Sequence, residues 1–297
     1  MRAFLFPGQG SQKVGMDVGL PRRRFEEADA TLGYSLSSII ASGPEVDLQR
    51  TVNTQPALLT VSIAWLDELK QRGIEADVVA GHSLGEYAAL VYSGALAFAD
   101  AVRLVHLRGT FMQDAVPEGQ GAMAAIIGLE GKTVADTCKE ASPDDSDACQ
   151  PANFNGAGQV VIAGHKGAVE RAMKMAKEKG AKIVKALPVS APFHSALMAP
   201  AAYKLAQALI DVPLTEMKVP VVANVTAEPY RDSAQTKALL SRQVTGSVRW
   251  EESVRALVGL GVTTAYEVGP GNVLRGLVRR IAPTITFLDL PTLGSAT

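Results

Sequence analysis

Apolar positions along the chain fall into short unbroken runs and longer amphipathic stretches. Residues 3–6 are an apolar run closed by Pro7-Gly8, which predicts a short buried strand. Residues 55–72 carry Leu58, Leu59, Val61, Ile63, Trp65, Leu66 and Leu69 at helical spacing, with Gly73 as the stop. Residues 77–80 read as a second strand, and 86–92 as a helix beyond an intervening turn. Residues 100–113 are amphipathic, with Asp100 as the expected cap. Strand, helix, strand, turn, helix in that order predicts a parallel α/β sheet.

The middle of the chain has a different rhythm. Strand 122–129, helix 132–141, a polar loop at 142–147, strands 150–154 and 159–163, helix 167–179 and strand 182–189 follow one another. Asn155-Gly156-Ala157-Gly158 between the two central strands is a hairpin signal. The order β-α-β-β-α-β is the split βαβ or ferredoxin-like pattern. The expected architecture is therefore a hydrolase-like parallel-sheet α/β core, residues 1–121 and 191–297. A ferredoxin-like subdomain, residues 122–190, is inserted in it. Helices at 198–210, 237–243, 253–260 and 273–281 and strands at 219–225 and 264–268 complete the pattern.

Composition narrows the class of function. Lys and Arg total 29 against 30 Asp and Glu, a net charge of −1. That argues against a nucleic-acid or anionic-membrane partner attracted by the whole surface. No window is apolar enough for a membrane span. The apolar amino terminus stops at Pro7, too early for a signal peptide, so a cytoplasmic setting is expected. Cys138 and Cys149 lack CxxC spacing, so neither a disulfide framework nor a metal site is expected.

Gly81-His82-Ser83-Leu84-Gly85 fits G-x-S-x-G, with a strand before it and a helix after it. The glycines permit a sharp turn that lifts the Ser83 hydroxyl to the mouth of the sheet. The Leu84 N–H at the helix start can donate to an oxyanion. Four histidines are candidates for the base. His82 adjoins Ser83 and leaves the turn in another direction. His106 belongs to a helix face, and His165 to a polar turn. His194, between a strand and a helix, is favoured by position, because catalytic side chains gather on such loops. No Asp or Glu announces itself as the third member of a triad, and no HGGG motif is present, which disfavours an ordinary esterase. Arg108 is either a solvated cation or a fork for a substrate carboxylate. Gly8-Gln9-Gly10-Ser11-Gln12 matches neither phosphate-loop pattern. It is either a glycine-rich turn or a loop whose Gln9 amide serves the serine site.

Seven motifs in order carry a resemblance. They are Phe6-Pro7-Gly8-Gln9-Gly10-Ser11-Gln12, Gly81 to Tyr87, Arg108-Gly109, Asn153-Phe154-Asn155-Gly156, Pro192-Phe193-His194-Ser195, Val248-Arg249-Trp250 and Glu267-Val268-Gly269-Pro270-Gly271. From about residue 3 to about residue 280 the chain resembles the malonyl-CoA:acyl-carrier-protein transacylases and the acyltransferase domains of polyketide synthases. The resemblance implies that Ser83 is the nucleophile and His194 its base. It implies that the main-chain carbonyl of Gln243, in place of a carboxylate, orients His194. Gln9 and Leu84 would hold the oxyanion, and Arg108 the free carboxylate of malonate. Phe193 matches the form of this motif in malonyl-selective members. Pro192 replaces the commoner small residue, and Gly246-Ser247 the family's usual Asn-Pro.

The activity so implied is ping-pong transfer of malonyl from malonyl-CoA to the phosphopantetheine thiol of an acyl carrier protein, with no cofactor. Three rivals stand beside it. They are a trans-acting acyltransferase of a polyketide synthase, a hydrolase clearing acyl groups from carrier proteins, and a non-catalytic interaction protein. An acidic carrier protein would favour a basic rim, for which Arg22, Arg23, Arg24, Lys182, Lys185, Arg279 and Arg280 are candidates.

Overall fold

β1 (Arg2–Phe6) lies at the centre of a parallel sheet and is apolar on both faces. Phe4 and Phe6 pack into one core cluster, whereas Ala3 and Leu5 pack into another on the opposite side. β2 (Val78–Gly81) divides in the same way, Val79 to one side and Val78 and Ala80 to the other. A strand covered on both faces has no polar alternation, which is why these segments read as continuous apolar runs. The chain in this computed structural model is described over residues 1–189 and 191–293. Ser190, and residues 294–297 of the segment expected to run to 297, lie outside the described residues.

Among the described residues the larger sheet has six strands, in the order β10-β9-β1-β2-β7-β8. Its other members are β7 (Val221–Val222), β8 (Pro229–Tyr230), β9 (Thr264–Glu267) and β10 (Thr286–Phe287). All pairings are parallel except β7 with β8. On one side lie α4 (Thr51–Gln71), α5 (Gly85–Ser93), α6 (Phe98–Asp114), α9 (Ala199–Leu209) and α10 (Thr236–Thr245). On the other side lie α11 (Trp250–Gly259) and α12 (Val273–Ile281).

The second sheet has the order β4-β5-β3-β6 and is antiparallel throughout. It comprises β3 (Gly121–Ile127), β4 (Cys149–Gly156), β5 (Gln159–His165) and β6 (Ile183–Ala186), with α7 (Gly131–Glu140) and α8 (Lys166–Glu178) on one face. This is the ferredoxin-like order expected from the sequence. Here the period of two is visible: Ala124, Ile126, Val160 and Ile162 face α7 and α8, while Met123, Val161 and Ala163 join the main core. Hydrogen bonds from Phe154 N–H to Val248 O (2.9 Å) and from Val248 N–H to Ala152 O (2.8 Å) tie β4 to the segment between α10 and α11.

Several elements differ from the sequence pattern. α1 (Arg23–Leu32), α2 (Leu36–Ser42) and α3 (Glu45–Gln49) are helices that the sequence reading did not include; α2 and α3 have no more than two turns, whereas α1 buries Phe25 and Ala28 on one face. α6 starts at Phe98 with Ala97 as its cap, so Asp100 lies in its first turn and pairs with Arg103. β7 is much shorter than 219–225. Pro220 before it has no N–H to donate, and the chain turns after it through an Ala227 N–H to Ala223 O bond. β6 ends at Ala186, and Leu187 and Val189 leave the sheet to line the pocket described below.

Trp250 is fully buried in the second cluster with Val248, Val254, Leu257, Leu274 and Val278. Its ring lies 5.5 Å from that of His82. Trp250→Ala is expected to lower the unfolding free energy by about 3–5 kcal/mol, read from urea titrations followed by circular dichroism. A loss under about 1 kcal/mol would contradict this packing.

Candidate active site

Between Gly81 at the end of β2 and Gly85 at the start of α5, three residues reverse the chain. A Cβ on Gly81 would lie 1.9 Å from the Gly85 carbonyl carbon, and one on Gly85 would lie 2.1 Å from Phe6 O. Only hydrogen fits at either place. Ser83 between them has φ 52°, a left-handed conformation strained for a residue with a side chain. Asn224, in the loop after β7, holds the turn from both sides. Ser83 N–H donates to Asn224 Oδ1 (2.6 Å), and Asn224 Nδ2 donates to Gly81 O (2.6 Å).

His194 lies in the connection from β6 to α9, also with positive φ (58°). Its Nε2 is 2.7 Å from Ser83 Oγ. Its Nδ1 faces two main-chain carbonyls at the end of α10, Gln243 O (2.8 Å) and Gly246 O (3.1 Å). Carbonyl oxygens only accept, so Nδ1 carries the proton and Nε2 accepts from the Ser83 hydroxyl. Burial, joined by the nearby Arg108 charge, pushes the His194 pKa down to about 3. The imidazole is therefore neutral and able to take a proton throughout the neutral range. Gln150 on β4 holds this loop: its amide donates to His194 O (3.3 Å) and Thr245 O (3.2 Å) and accepts from Ala196 N–H (3.0 Å). Ser247, where the family usually has Pro, donates to Pro151 O (2.6 Å) on the same strand.

Arg108, on α6, is 2 % exposed. Its Nη1 donates to Gln55 Oε1 (2.7 Å), and its Nη2 to Gln243 Oε1 (2.9 Å) and to Ser83 Oγ (3.0 Å). Among the described residues none of these partners is charged. The guanidinium carbon lies 5.8 Å from the centre of the Tyr87 ring. Burial lowers the Arg108 pKa from its ordinary value.

These groups open into a pocket of about 230 Å³ between the two sheets. Gln9, Leu84 and Phe193 line it together with Met112, Met123, Leu187 and Val189. Leu84 caps α5, so its N–H is one of the helix-start donors the helix itself does not use. Gln9 accepts from Thr51 Oγ1 (2.8 Å) through its side-chain oxygen, which leaves its amide hydrogens for other acceptors. The other histidines have different partners. His82 Nε2 pairs with Asn155 Oδ1 (2.9 Å), His106 stacks near Tyr34, and His165 Nδ1 pairs with the Ala148 main chain. Of the basic rim candidates, Arg22, Arg23 and Arg24 are engaged by Asp17, Asp67 and Glu27. Arg280 donates to Gln159 Oε1 (3.2 Å) at the pocket lining.

Residues 3–281 match the acyl transferase domain family. The chain belongs to this family. It is 50 % identical to the malonyl CoA-acyl carrier protein transacylase of Salmonella typhimurium, over 96 % of this chain and 94 % of that one. An acyl carrier protein S-malonyltransferase from Vibrio cholerae has a TM-score of 0.95 at 46 % identity, covering 99 % of this chain and 98 % of that one. A malonyl-transacylase solved in complex with a type II PKS acyl-carrier protein has a TM-score of 0.94 at 44 % identity, covering 98 % and 96 %.

Three polar residues of this candidate site were given no role in the sequence reading. Glu86 had a signal, a carboxylate opening an otherwise apolar helix directly after the serine turn. Gln55 is a polar residue opening the apolar run of residues 55–72, a weaker signal. Asn224 had none, since it is 141 residues from the turn it holds. Because His194 is held neutral, modification of Ser83 by a neutral fluorophosphonate should keep its pH 7 rate down to about pH 5. A half-loss near 6.5, the ordinary histidine value, would contradict the buried environment of the imidazole. Rates of adduct formation by intact mass give the measurement.

Proposed function

We propose that this chain transfers a malonyl group from malonyl-CoA to the phosphopantetheine thiol of an acyl carrier protein, through an ester on Ser83. The supporting observation is Arg108: a buried cation whose hydrogen-bond partners among the described residues are all neutral, with one nitrogen 3.0 Å from Ser83 Oγ. A cation out of water calls for an anion. The free carboxylate of a malonyl group is three bonds from the ester oxygen, a span that suits this placement. The relatives' names as malonyl transacylases support the same reading.

In the first half-reaction Ser83 Oγ attacks the thioester carbonyl carbon while His194 Nε2 takes the hydroxyl proton. The Gln243 and Gly246 carbonyls stabilise the imidazolium so formed. They do the work of an acid in a triad without placing a second full charge beside Arg108. The Leu84 N–H and the Gln9 amide hold the oxyanion. The carbon–sulfur bond then breaks, and the CoA thiolate leaves with the proton from His194. In the second half the carrier thiol gives its proton to His194, attacks the malonyl ester, and Ser83 departs as the hydroxyl. The same chemistry serves a polyketide carrier protein, and one similar structure is such a complex. Comparing rates with fatty-acid and polyketide carriers separates the two pathways.

Intact-protein mass after mixing with malonyl-CoA should show a malonyl adduct that is absent from Ser83→Ala. Release of CoA without an adduct would favour the hydrolase reading instead.

Arg108→Ala should lower the preference for malonyl over acetyl by roughly 10–150-fold. That range corresponds to about 1.5–3 kcal/mol for a charge-assisted hydrogen bond. An unchanged preference, measured as the ratio of kcat/KM for the two CoA thioesters, would remove Arg108 from this role.

A further inference from the structure

Glu86 is 1 % exposed in the first turn of α5, and the mechanism above makes no use of it. Its Oε2 accepts from the Gln243 side-chain amide (2.7 Å) and from the Asn224 N–H (3.1 Å). Its Oε1 is buried with no partner. At the other end of the same Gln243 amide, Oε1 accepts from Arg108 Nη2 (2.9 Å). The Gln243 Nε2 also donates to Ser83 O (3.0 Å).

A guanidinium only donates. A carboxylate oxygen flanked by two N–H groups only accepts. A primary amide bridging them has one satisfied orientation, with oxygen to Arg108 and nitrogen to Glu86. We propose that Glu86 is a specificity-determining positioning residue, which fixes the Gln243 amide and thereby holds the Arg108 guanidinium against Ser83, where the malonyl carboxylate lies. This inference rests on the malonyl-transfer reading. Burial pushes the Glu86 pKa up to about 7. The unpartnered Oε1 takes the proton when one is bound, so Oε2 stays an acceptor in both states. Without that acceptor only the longer bond to Ser83 O (3.0 Å) still orients the Gln243 nitrogen, and the amide can turn its NH2 toward Arg108. Donor then meets donor, and the guanidinium is released from its place beside Ser83.

The test compares kcat/KM for malonyl-CoA and acetyl-CoA across variants. Glu86→Met keeps the approximate volume and removes the acceptor. It should lower the malonyl-over-acetyl ratio about tenfold, with a smaller loss for acetyl than for malonyl. Glu86→Gln can present its amide oxygen to the same two donors and should keep the ratio within about threefold. In an Arg108→Ala background, Glu86→Met should change the ratio no further, because the effect passes through Arg108. Equal losses for both thioesters would overturn the inference. So would an unchanged ratio in Glu86→Met, or a loss in Glu86→Gln as large as in Glu86→Met. If Glu86→Met does not fold, Gln243→Met breaks the same bridge while retaining the carbonyl that faces His194. It must then give the same fall in ratio, and an unchanged ratio overturns the inference. A wild-type protein without malonyl preference would instead fail the malonyl reading. A selective wild type with an equally selective Glu86→Met fails the Glu86 assignment alone.

Discussion

The site depends on one steric fact: the chain can reverse between β2 and α5 only where residues 81 and 85 have no side chain. Their α-carbons pack against the main chain of the turn itself and of β1, at distances where a methyl group would overlap backbone atoms. That contact forces Ser83 into a left-handed conformation. The strain is offset by the sheet below and by the Asn224 side chain, which bonds both to the serine N–H and to the Gly81 carbonyl. The hydroxyl is thereby presented at the carboxyl end of a central strand, where open α/β sheets leave a crevice.

A second constraint is electrostatic. Arg108 and His194 are both buried close to Ser83, and a full negative charge beside either would alter the other. The protein surrounds them mainly with neutral acceptors: the side-chain oxygens of Gln55 and Gln243 for the guanidinium, and the carbonyls of Gln243 and Gly246 for the imidazole. Gln243 serves both, through its side chain and its main chain. The ionisable Glu86 is kept one amide away. This arrangement leaves His194 neutral and, among the described residues, gives Arg108 no carboxylate within hydrogen-bonding distance, Glu86 acting on it only across the Gln243 amide.

The antiparallel sheet contributes more than a wall. Its strand β4 bonds to Val248, carries the Gln150 amide that holds the His194 loop, and accepts from Ser247 through Pro151 O. Apolar residues on its inner face, Met123 and Val161, complete the pocket. The inserted unit is thus part of the frame that sets His194 against Ser83. At Gly246-Ser247 a main-chain carbonyl faces His194 and the Ser247 hydroxyl bonds to β4.

The chain's local spacing was enough to determine β1 and β2 as buried strands, the β-α-β-β-α-β order of the insert, and the glycine–serine turn. Each of these depends on neighbours a few residues away: unbroken apolar runs, alternation, or the need for hydrogen in place of Cβ. The short helices α2 and α3 carry no such signal, α1 carries one in Phe25 and Ala28 that was missed, and the sequence pattern overextended β6 and β7, whose ends are decided by where the chain must leave the sheet. The motifs singled out Ser83, His194 and Arg108 as chemical types. Their meeting was a tertiary outcome, since Ser83 bonds to His194 across 111 positions, and Gln243 reaches the Ser83 carbonyl across 160. Asn224 and the Glu86–Gln243 bridge became visible only in the fold. Hydrogen bonds between distant segments depend on how helices and strands pack, and residue spacing along the chain does not encode that distance.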